Sequence, residues 1–328
     1  MLNIAVIGCG IGAEEHLEVI QESRDWNLAA VVDINPQNLQ NAVERYQPAH
    51  SFTDYMQLLD EVQLDAVVVA THVETHYEMT LAASQRGVHV LCEKPMASSV
   101  EECQEMCEAT ERAQRLLAIN FNTRSADPYR TIKAVIESKN IGQIRVVRFV
   151  YDWSAHQWQP PERFDKFMVN GGPLIDSAVH FFEGVRWFTG QEFERIDACG
   201  VRIPPYEHPQ HVVATCQMTG GATALVEVGW IFTRRTQDVG MLFEVTVIGD
   251  DGTISYSSDT GKIQVWTADE TEEIECGDLG KHYERIHAAF ARSIREGMLQ
   301  GVSSGLDGLK ATEAAYRALE STQKNHKS

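Results

Sequence analysis

The 328-residue sequence has no apolar run approaching the roughly 20 residues that a membrane-spanning helix needs, and no basic segment leading into an apolar stretch opens it. The expectation is a cytoplasmic protein with no membrane partner. Basic residues are scarce: 28 Lys and Arg stand against 47 Asp and Glu, a formal charge of −19. A nucleic acid or an anionic membrane calls for a basic surface, so neither is expected as a partner; the acidic surplus is spread along the chain and reads as solubility. Seven cysteines, an odd number without paired spacing, exclude a disulfide framework. Cys103 and Cys107 are four apart on an expected helix, but no second Cys or His pair follows at zinc-site spacing, so no metal is expected. Cys9 and Cys92 are read as fillers of small spaces rather than nucleophiles. Repeats, low-complexity segments and long linkers are also missing, which leaves a chain of a length suited to two closely packed domains with a cleft between them.

What is present begins with Gly8-Cys9-Gly10-Ile11-Gly12-Ala13, between the apolar run Leu2–Ile7 and an expected helix from about Glu14. Gly8 allows a tight exit from the strand, Gly10 has no Cβ to keep a pyrophosphate away, and small Ala13 lets the helix pack on the strand. The helix start then presents unpaired N–H groups to phosphates. A second apolar run, Leu28–Val32, ends at Asp33, about 20 residues beyond the turn, where a carboxylate can accept hydrogen bonds from an adenosine ribose. The strand, turn, helix, strand and acid together read as a dinucleotide-binding unit. Asp33 repels a 2′-phosphate and Ile34-Asn35 supply no cation, so NAD is expected in preference to NADP.

Further apolar runs at Ala66–Ala70, Val88–Leu91 and Leu116–Ile119, separated by amphipathic stretches such as Val100–Arg115, predict an α/β fold with a doubly wound parallel sheet over residues 1–121. Gly8, Asp33, Thr71 and Glu93 then fall at the carboxyl ends of strands, where ligands of such sheets bind. The pattern changes after about Asn120. Alternation at Ile144–Tyr151 and strand-like runs at Ile196–Arg202, Val212–Met218, Ala222–Trp230, Leu242–Ile248, Thr253–Ser257 and Ile263–Thr267 predict a mostly antiparallel, open-faced sheet. With helices expected at Pro128–Ser138, Leu174–Phe188, Tyr283–Gly297 and Leu306–Gln323, residues 122–328 read as an α+β domain. Ala222–Trp230 carries large apolar residues on both sides, so a homodimer or homotetramer is expected through the open face.

Two constellations carry chemistry beyond the turn. In Cys92-Glu93-Lys94-Pro95 a lysine follows the fifth strand, where its ammonium can donate to a substrate hydroxyl and favour the alkoxide that forms on oxidation; read in isolation, the same residues serve as a solvated surface turn. In Gly171-Gly172-Pro173 followed by Asp176 and His180, the glycines and proline start a helix and place an acid and an imidazole on one face. That pair suits a proton relay, an ordinary surface pair, or part of a metal site whose further ligands the sequence does not identify.

These residues resemble those of the Gfo/Idh/MocA oxidoreductases, named for glucose–fructose oxidoreductase and inositol dehydrogenase. The likeness runs over essentially the whole chain and rests on Gly8-Cys9-Gly10-Ile11-Gly12, on Glu93-Lys94-Pro95, on Phe121-Asn122 with Arg124, and on Gly171-Gly172 leading to Asp176 and His180. The resemblance implies a Rossmann domain followed by an open-faced α/β domain, a nicotinamide cofactor, and a sugar, polyol or inositol as substrate. It also implies roles: Lys94 holds the reacting hydroxyl, His180 accepts its proton, and Asp176 supports His180 or binds substrate. Gly8, Gly10, Ile11, Gly12, Asp33, Thr71, His72, His76, Glu93 and Lys94 would contact the cofactor, and Lys94, Asn122, Arg124, Trp153, Asp176 and His180 the substrate. Two positions depart from the pattern. Thr71-His72-Val73 replaces the usual Thr-Pro-Asn, with His76 retained, so contacts on the nicotinamide side are expected to differ; Pro173 replaces a third glycine and suits a first helical position.

Tyr151, Trp153, His156, Trp158, Phe164 and Phe167 lie on the connection to the second constellation and offer rings for the apolar face of a sugar, or for the core. Arg124 and Arg163 suit a carboxylate or phosphate, or a surface or interdomain position. Two other activities use the same architecture: NAD-dependent cleavage of glycosidic bonds, and nucleotide binding by a regulator without turnover. A regulator has no need of the Lys94, Asp176 and His180 set.

Overall fold

The computed structural model describes residues 1–138, 141–155, 160–231, 240–277 and 279–324. The chain divides into two compact units, Met1–Ser125 with Lys281–Thr312, and Ala126–Gly280 with Glu313–Ser328.

The first unit alternates strand and helix: β1 (Leu2–Ile7), α1 (Glu14–Glu22), β2 (Trp26–Val32), α2 (Pro36–Tyr46), β3 (His50–Phe52), α3 (Tyr55–Glu61), β4 (Ala66–Val69), α4 (Val73–Gln85), β5 (His89–Cys92), α5 (Val100–Arg112) and β6 (Leu117–Ile119). Helix starts follow local chemistry. Asn35 accepts from the N–H groups of Gln37 and Asn38 ahead of Pro36, Asp54 accepts from Met56, and Ser99 accepts from Glu102. The sheet order β6-β5-β4-β1-β2-β3 is parallel throughout and reverses between β1 and β4, so the crevice at the carboxyl ends opens there. Ile4, Val6, Val31, Ala66 and Val68 are buried, as a sheet covered on both faces requires.

Where the sequence suggests one domain over 122–328, the chain returns to the first unit late. There, after the second unit, Tyr283–Glu296 forms a helix whose Ile286, Ala289, Phe290 and Ala291 join the same core as Leu17, Ile20 and Trp26, and the short strand Ser303–Ser304 adds antiparallel to β6. Local periodicity announces such a helix without saying which sheet it covers.

The second unit contains α6 (Asp127–Ser138), β7 (Ile144–Trp153), α7 (Pro161–Val169), α8 (Val179–Thr189), β8 (Phe193–Val201), β9 (His211–Met218), β10 (Thr223–Gly229), β11 (Met241–Gly249), β12 (Gly252–Ser257), β13 (Lys262–Thr267) and β14 (Thr271–Glu275). The late helix and strand of the first unit are α9 (Tyr283–Glu296) and β15 (Ser303–Ser304), and α10 (Gly305–Lys324) ends the described chain. The sheet order is β14-β13-β12-β11-β7-β10-β9-β8, antiparallel except where β7 lies parallel to β10. One face packs Phe149, Phe243 and Tyr151 against Tyr129, Phe181 and Phe188, with Phe149 and Phe181 ring centroids 5.5 Å apart.

The opposite face corrects one expectation. Register puts Val226 and Val228 on the packed face and Thr223, Leu225 and Glu227 on the other, beside Arg148, Val150 and Thr215. That face is mixed and largely polar, not the apolar patch that the residue types of β10 suggest. No helix among the described residues is long and apolar enough to cross a membrane.

Candidate active site

The turn after β1 is shaped by Gly8, whose φ is +95° and whose Cβ, if present, would lie 2.6 Å from the Ala70 oxygen. Only glycine fits that position. Asp33 is fixed across the turn: Oδ2 accepts from the Cys9 N–H at 2.7 Å and Oδ1 from the Asn35 N–H at 2.7 Å. Gly10 has only the Asn38 amide, 4.0 Å away, near the place of a Cβ, and Gly12 has nothing within 4 Å. Ile11 is 74% exposed beside them. A groove of about 240 Å³ runs from Cys9, Gly10 and Ile11 to Asn38, Arg45 and Tyr46. Open space over Gly10 beside an anchored acid is what a dinucleotide's phosphates and ribose require, so these residues fit the cofactor. Burial, then the Asp33 charge, push the Cys9 thiol up to about 12, so it stays protonated and is no nucleophile.

At the end of β4, Thr71 and Thr75 share a hydrogen bond of 2.8 Å and His72 caps α4 through its backbone. His76 departs from a direct contact with cofactor. It is 1% exposed, with Nδ1 2.9 Å from the Pro95 oxygen and Nε2 3.2 Å from the Thr71 oxygen. The neutral imidazole has one N–H to give to one of these two carbonyls, and at 1% exposure it has almost no surface left for a ligand. Burial lowers its pKa, and the two carbonyls only partly offset this.

At the end of β5, Glu93 Oε2 accepts the Lys94 N–H at 3.1 Å, while Oε1 lies 2.5 Å from Asn120 Nδ2, 2.9 Å from His16 Nε2 and 3.0 Å from the Tyr283 hydroxyl. His16 Nδ1 in turn lies 2.8 Å from His287 Nε2. Glu93 is therefore a mostly buried hub next to Lys94, with both carboxylate oxygens engaged and its side chain 14% exposed.

Asn122 opens a short turn through Arg124 whose backbone carbonyl receives Ser125, and its Oδ1 is buried with no hydrogen-bond partner among the described residues. Arg124 differs from the expected substrate contact: its guanidinium is 3.0 Å from Asp307 Oδ2, with both side chains mostly buried, so its charge is already answered within the first unit.

In the second unit the expected helix Leu174–Phe188 is two pieces, a π-turn over Leu174–Ala178 and then α8. Such widened turns recur at functional sites. Gly171, at φ +109°, has Ile175 Cγ1 2.3 Å from the place of its absent Cβ, so the entry to the turn depends on glycine. Asp176 and His180 are both half-buried. Ser177 Oγ donates to Asp176 Oδ2 at 3.1 Å and accepts from Trp230 Nε1 at 3.4 Å. Burial, then the Asp176 charge, raise the Tyr151 phenol. Trp153 and Phe167 each pack against a buried cluster of Ala155, Phe164, Met168 and Trp230, and Arg163 lies over the Phe167 ring at 5.3 Å. Phe164 is thus core; His156 and Trp158 lie outside the described residues.

Sequence reasoning passes over His16, Asn120, Tyr283 and His287. The available signal is that His16 sits in the apolar stripe of α1 with Ala13, Leu17 and Ile20, and that Tyr283 and His287 share one face of α9.

The family profile described as an oxidoreductase family with an NAD-binding Rossmann fold matches residues 2–121, and the Gfo/Idh/MocA C-terminal domain profile matches residues 129–255. The chain is 26% identical to the myo-inositol 2-dehydrogenase of Thermotoga maritima over 98% of this chain and 96% of that one. It is 30% identical to inositol 2-dehydrogenase 2 of Saccharopolyspora erythraea over 75% and 73%. A levoglucosan dehydrogenase solved with NADH and levoglucosan superposes with a TM-score of 0.86 at 23% identity, covering 98% of this chain and 97% of that one. With both profiles in order along one chain and the glycine turn, Lys94 and the Asp176–His180 turn in their places, this protein belongs to the Gfo/Idh/MocA family of oxidoreductases.

Proposed function

We propose that this chain is an NAD-dependent dehydrogenase that oxidises a ring or chain hydroxyl of a polyol, inositol or sugar. The observation that carries the reading is the placement of Lys94 at the carboxyl end of β5, two strand spacings (about 10 Å) from the glycine turn of β1, with its backbone held by a buried carboxylate. Bound NAD supplies a hydride acceptor. The chain then has to hold the hydroxyl oxygen and take its proton. Lys94 Nζ donates to that oxygen and favours the alkoxide, His180 accepts the proton, and Asp176, held by Ser177, orients and stabilises the imidazolium. The inositol and levoglucosan dehydrogenases among its relatives support a polyhydroxy substrate. Incubation with NAD and a panel of inositols, polyols, aldoses and sugar acids should produce NADH absorbance at 340 nm for at least one. Release of an aryl aglycone with NAD but no net NADH points instead to a glycosidase, and NAD binding with neither reaction to a regulator.

NAD is the expected cofactor over NADP. Asp33 is held by two backbone donors at the end of β2, and Arg45, which lines the groove beside the turn, meets Glu18 at 2.5 Å. A 2′-phosphate there faces the Asp33 carboxylate, and the Arg45 cation of the neighbouring groove is shared with Glu18. NADH should bind more tightly than NADPH in a fluorescence titration; the reverse order overturns the assignment.

Assembly into a dimer or tetramer through the open face of the eight-stranded sheet belongs to the same reading. The support for it is the half-buried Leu225 and Leu242 on that face, since a mixed composition neither marks an interface nor excludes one. Light scattering at micromolar concentration should give at least twice the 36.7 kDa chain mass; a strictly monomeric mass counts against it.

A further inference from the structure

Beneath Lys94, three elements of the first unit converge on Glu93: α1 brings His16, the end of β6 brings Asn120, and α9 brings Tyr283 and His287. The two histidines are 0 and 1% exposed. Burying so many polar groups costs free energy that apolar side chains of the same volume would not incur, so packing alone does not account for them. Each contact instead ends on one carboxylate. Burial pushes the Glu93 carboxyl up, but the His16 and Asn120 hydrogen bonds and the Lys94 charge outweigh it and hold the group below the ordinary carboxylate range, ionised at neutral pH.

An ionised carboxylate only accepts, so His16 Nε2 carries the hydrogen that reaches Oε1. A single hydrogen then lies in the 2.8 Å gap between His16 Nδ1 and His287 Nε2. If it belonged to His16, neutral His287 would carry its own hydrogen on Nδ1, a buried atom with no partner among the described residues. A bare ring nitrogen is the lesser cost there than an orphaned N–H. Burial also keeps the His287 pKa well below its ordinary value, so the ring carries a single hydrogen. Donation therefore runs one way, from His287 to His16 to Glu93. The remaining charged neighbours lie on the Tyr283 side: Lys281, 5.4 Å over its ring, and Glu15.

We propose that His16, backed by His287, is a positioning residue for Lys94: by donating to Glu93 Oε1 it keeps the carboxylate turned so that Oε2 holds the Lys94 amide, which fixes the point from which the lysine side chain reaches the substrate oxygen. The inference rests on the dehydrogenase reading of Lys94. His16 acts through Glu93 and does not itself touch the reacting atoms.

The test compares H16A, H16N and H16Q on a substrate that the wild-type enzyme oxidises. The Gln side-chain amide takes the place of Nε2 and can donate to Glu93, whereas the shorter Asn amide takes the place of Nδ1 and cannot. H16A and H16N should lose about tenfold or more in kcat, with the dissociation constant for NADH changed less than about threefold, and H16Q should recover most of the loss. Unchanged kcat in H16A, a loss confined to NADH affinity, or equal activity in H16N and H16Q overturns the proposal. Should the variants fold poorly, 15N NMR of histidine-labelled wild-type protein at pH 7 decides the array: bare Nδ1 with protonated Nε2 is expected on both His16 and His287, and any other pattern refutes it. An inactive wild type across the whole substrate panel refutes the dehydrogenase reading, and this positioning role with it; an active wild type with an indifferent H16A refutes the positioning role alone.

Discussion

Replacing His180 with alanine is expected to lower kcat by about 10²–10⁴-fold, the usual cost of losing a general base, with little change in the melting temperature. The expectation follows from the protonation states around Asp176. The Tyr151 phenol, raised first by burial and then by the Asp176 charge, stays protonated at neutral pH and cannot serve as the base. Asp176 accepts from Ser177 Oγ, which Trp230 fixes in turn, so the carboxylate is held as an acceptor. That leaves the imidazole of His180, one helical step beyond the π-turn that carries Asp176, as the group suited to take a proton near pH 7. Steady-state kinetics at saturating NAD measure the loss, and added imidazole should restore part of it. Activity within about threefold of wild type removes His180 from the mechanism.

How much of this arrangement is legible beforehand depends on the range of the forces involved. The β1 turn, Asp33 and the strand ends at Thr71 and Glu93 follow from short apolar runs and glycines, because a parallel strand buried on both faces leaves a local signature. Short or polar pieces leave none: His50–Phe52 and Thr271–Glu275 pair in their sheets without an apolar run to mark them. The π-turn at Asp176 is invisible for a different reason, since one extra residue per turn changes no residue type. Tertiary pairing is hidden most thoroughly. Arg124 reads as either an anion ligand or a surface or interdomain residue until Asp307, far along the chain, answers its charge. Tyr283 and His287 lie on a helix that periodicity alone cannot assign to a sheet, and only when α9 returns to the first unit does Tyr283 reach Glu93 and His287 reach His16. His76 likewise reads as a cofactor contact until two carbonyls claim its ring.

Lys94→Ala should match the His180 loss, lowering kcat by about 10²–10⁴-fold, while NADH affinity measured by fluorescence changes less than about threefold. The split follows from where the lysine is anchored. Its backbone N–H is bound by Glu93 and survives the substitution, so the strand end that faces the cofactor keeps its shape. What the proposed mechanism loses is a cation for the substrate oxygen, whose worth grows as that oxygen takes on negative charge and is small in the ground state. Lys94→Arg keeps the charge but spreads it over a planar fork that donates to two acceptors, so little activity should return. If the lysine and His180 serve one oxygen, removing both should cost little more than removing either, because a hydroxyl that cannot lose its proton gains nothing from a nearby cation. Independent, multiplying losses in the double variant assign the two residues to separate steps. A crystal structure of the enzyme with cofactor and substrate bound gives the geometric form of the same test: Lys94 Nζ and an imidazole nitrogen of His180 should both lie within hydrogen-bonding distance of one substrate oxygen. A separation of more than about 8 Å between them, too far to share one hydroxyl, overturns the mechanism whatever the kinetics show.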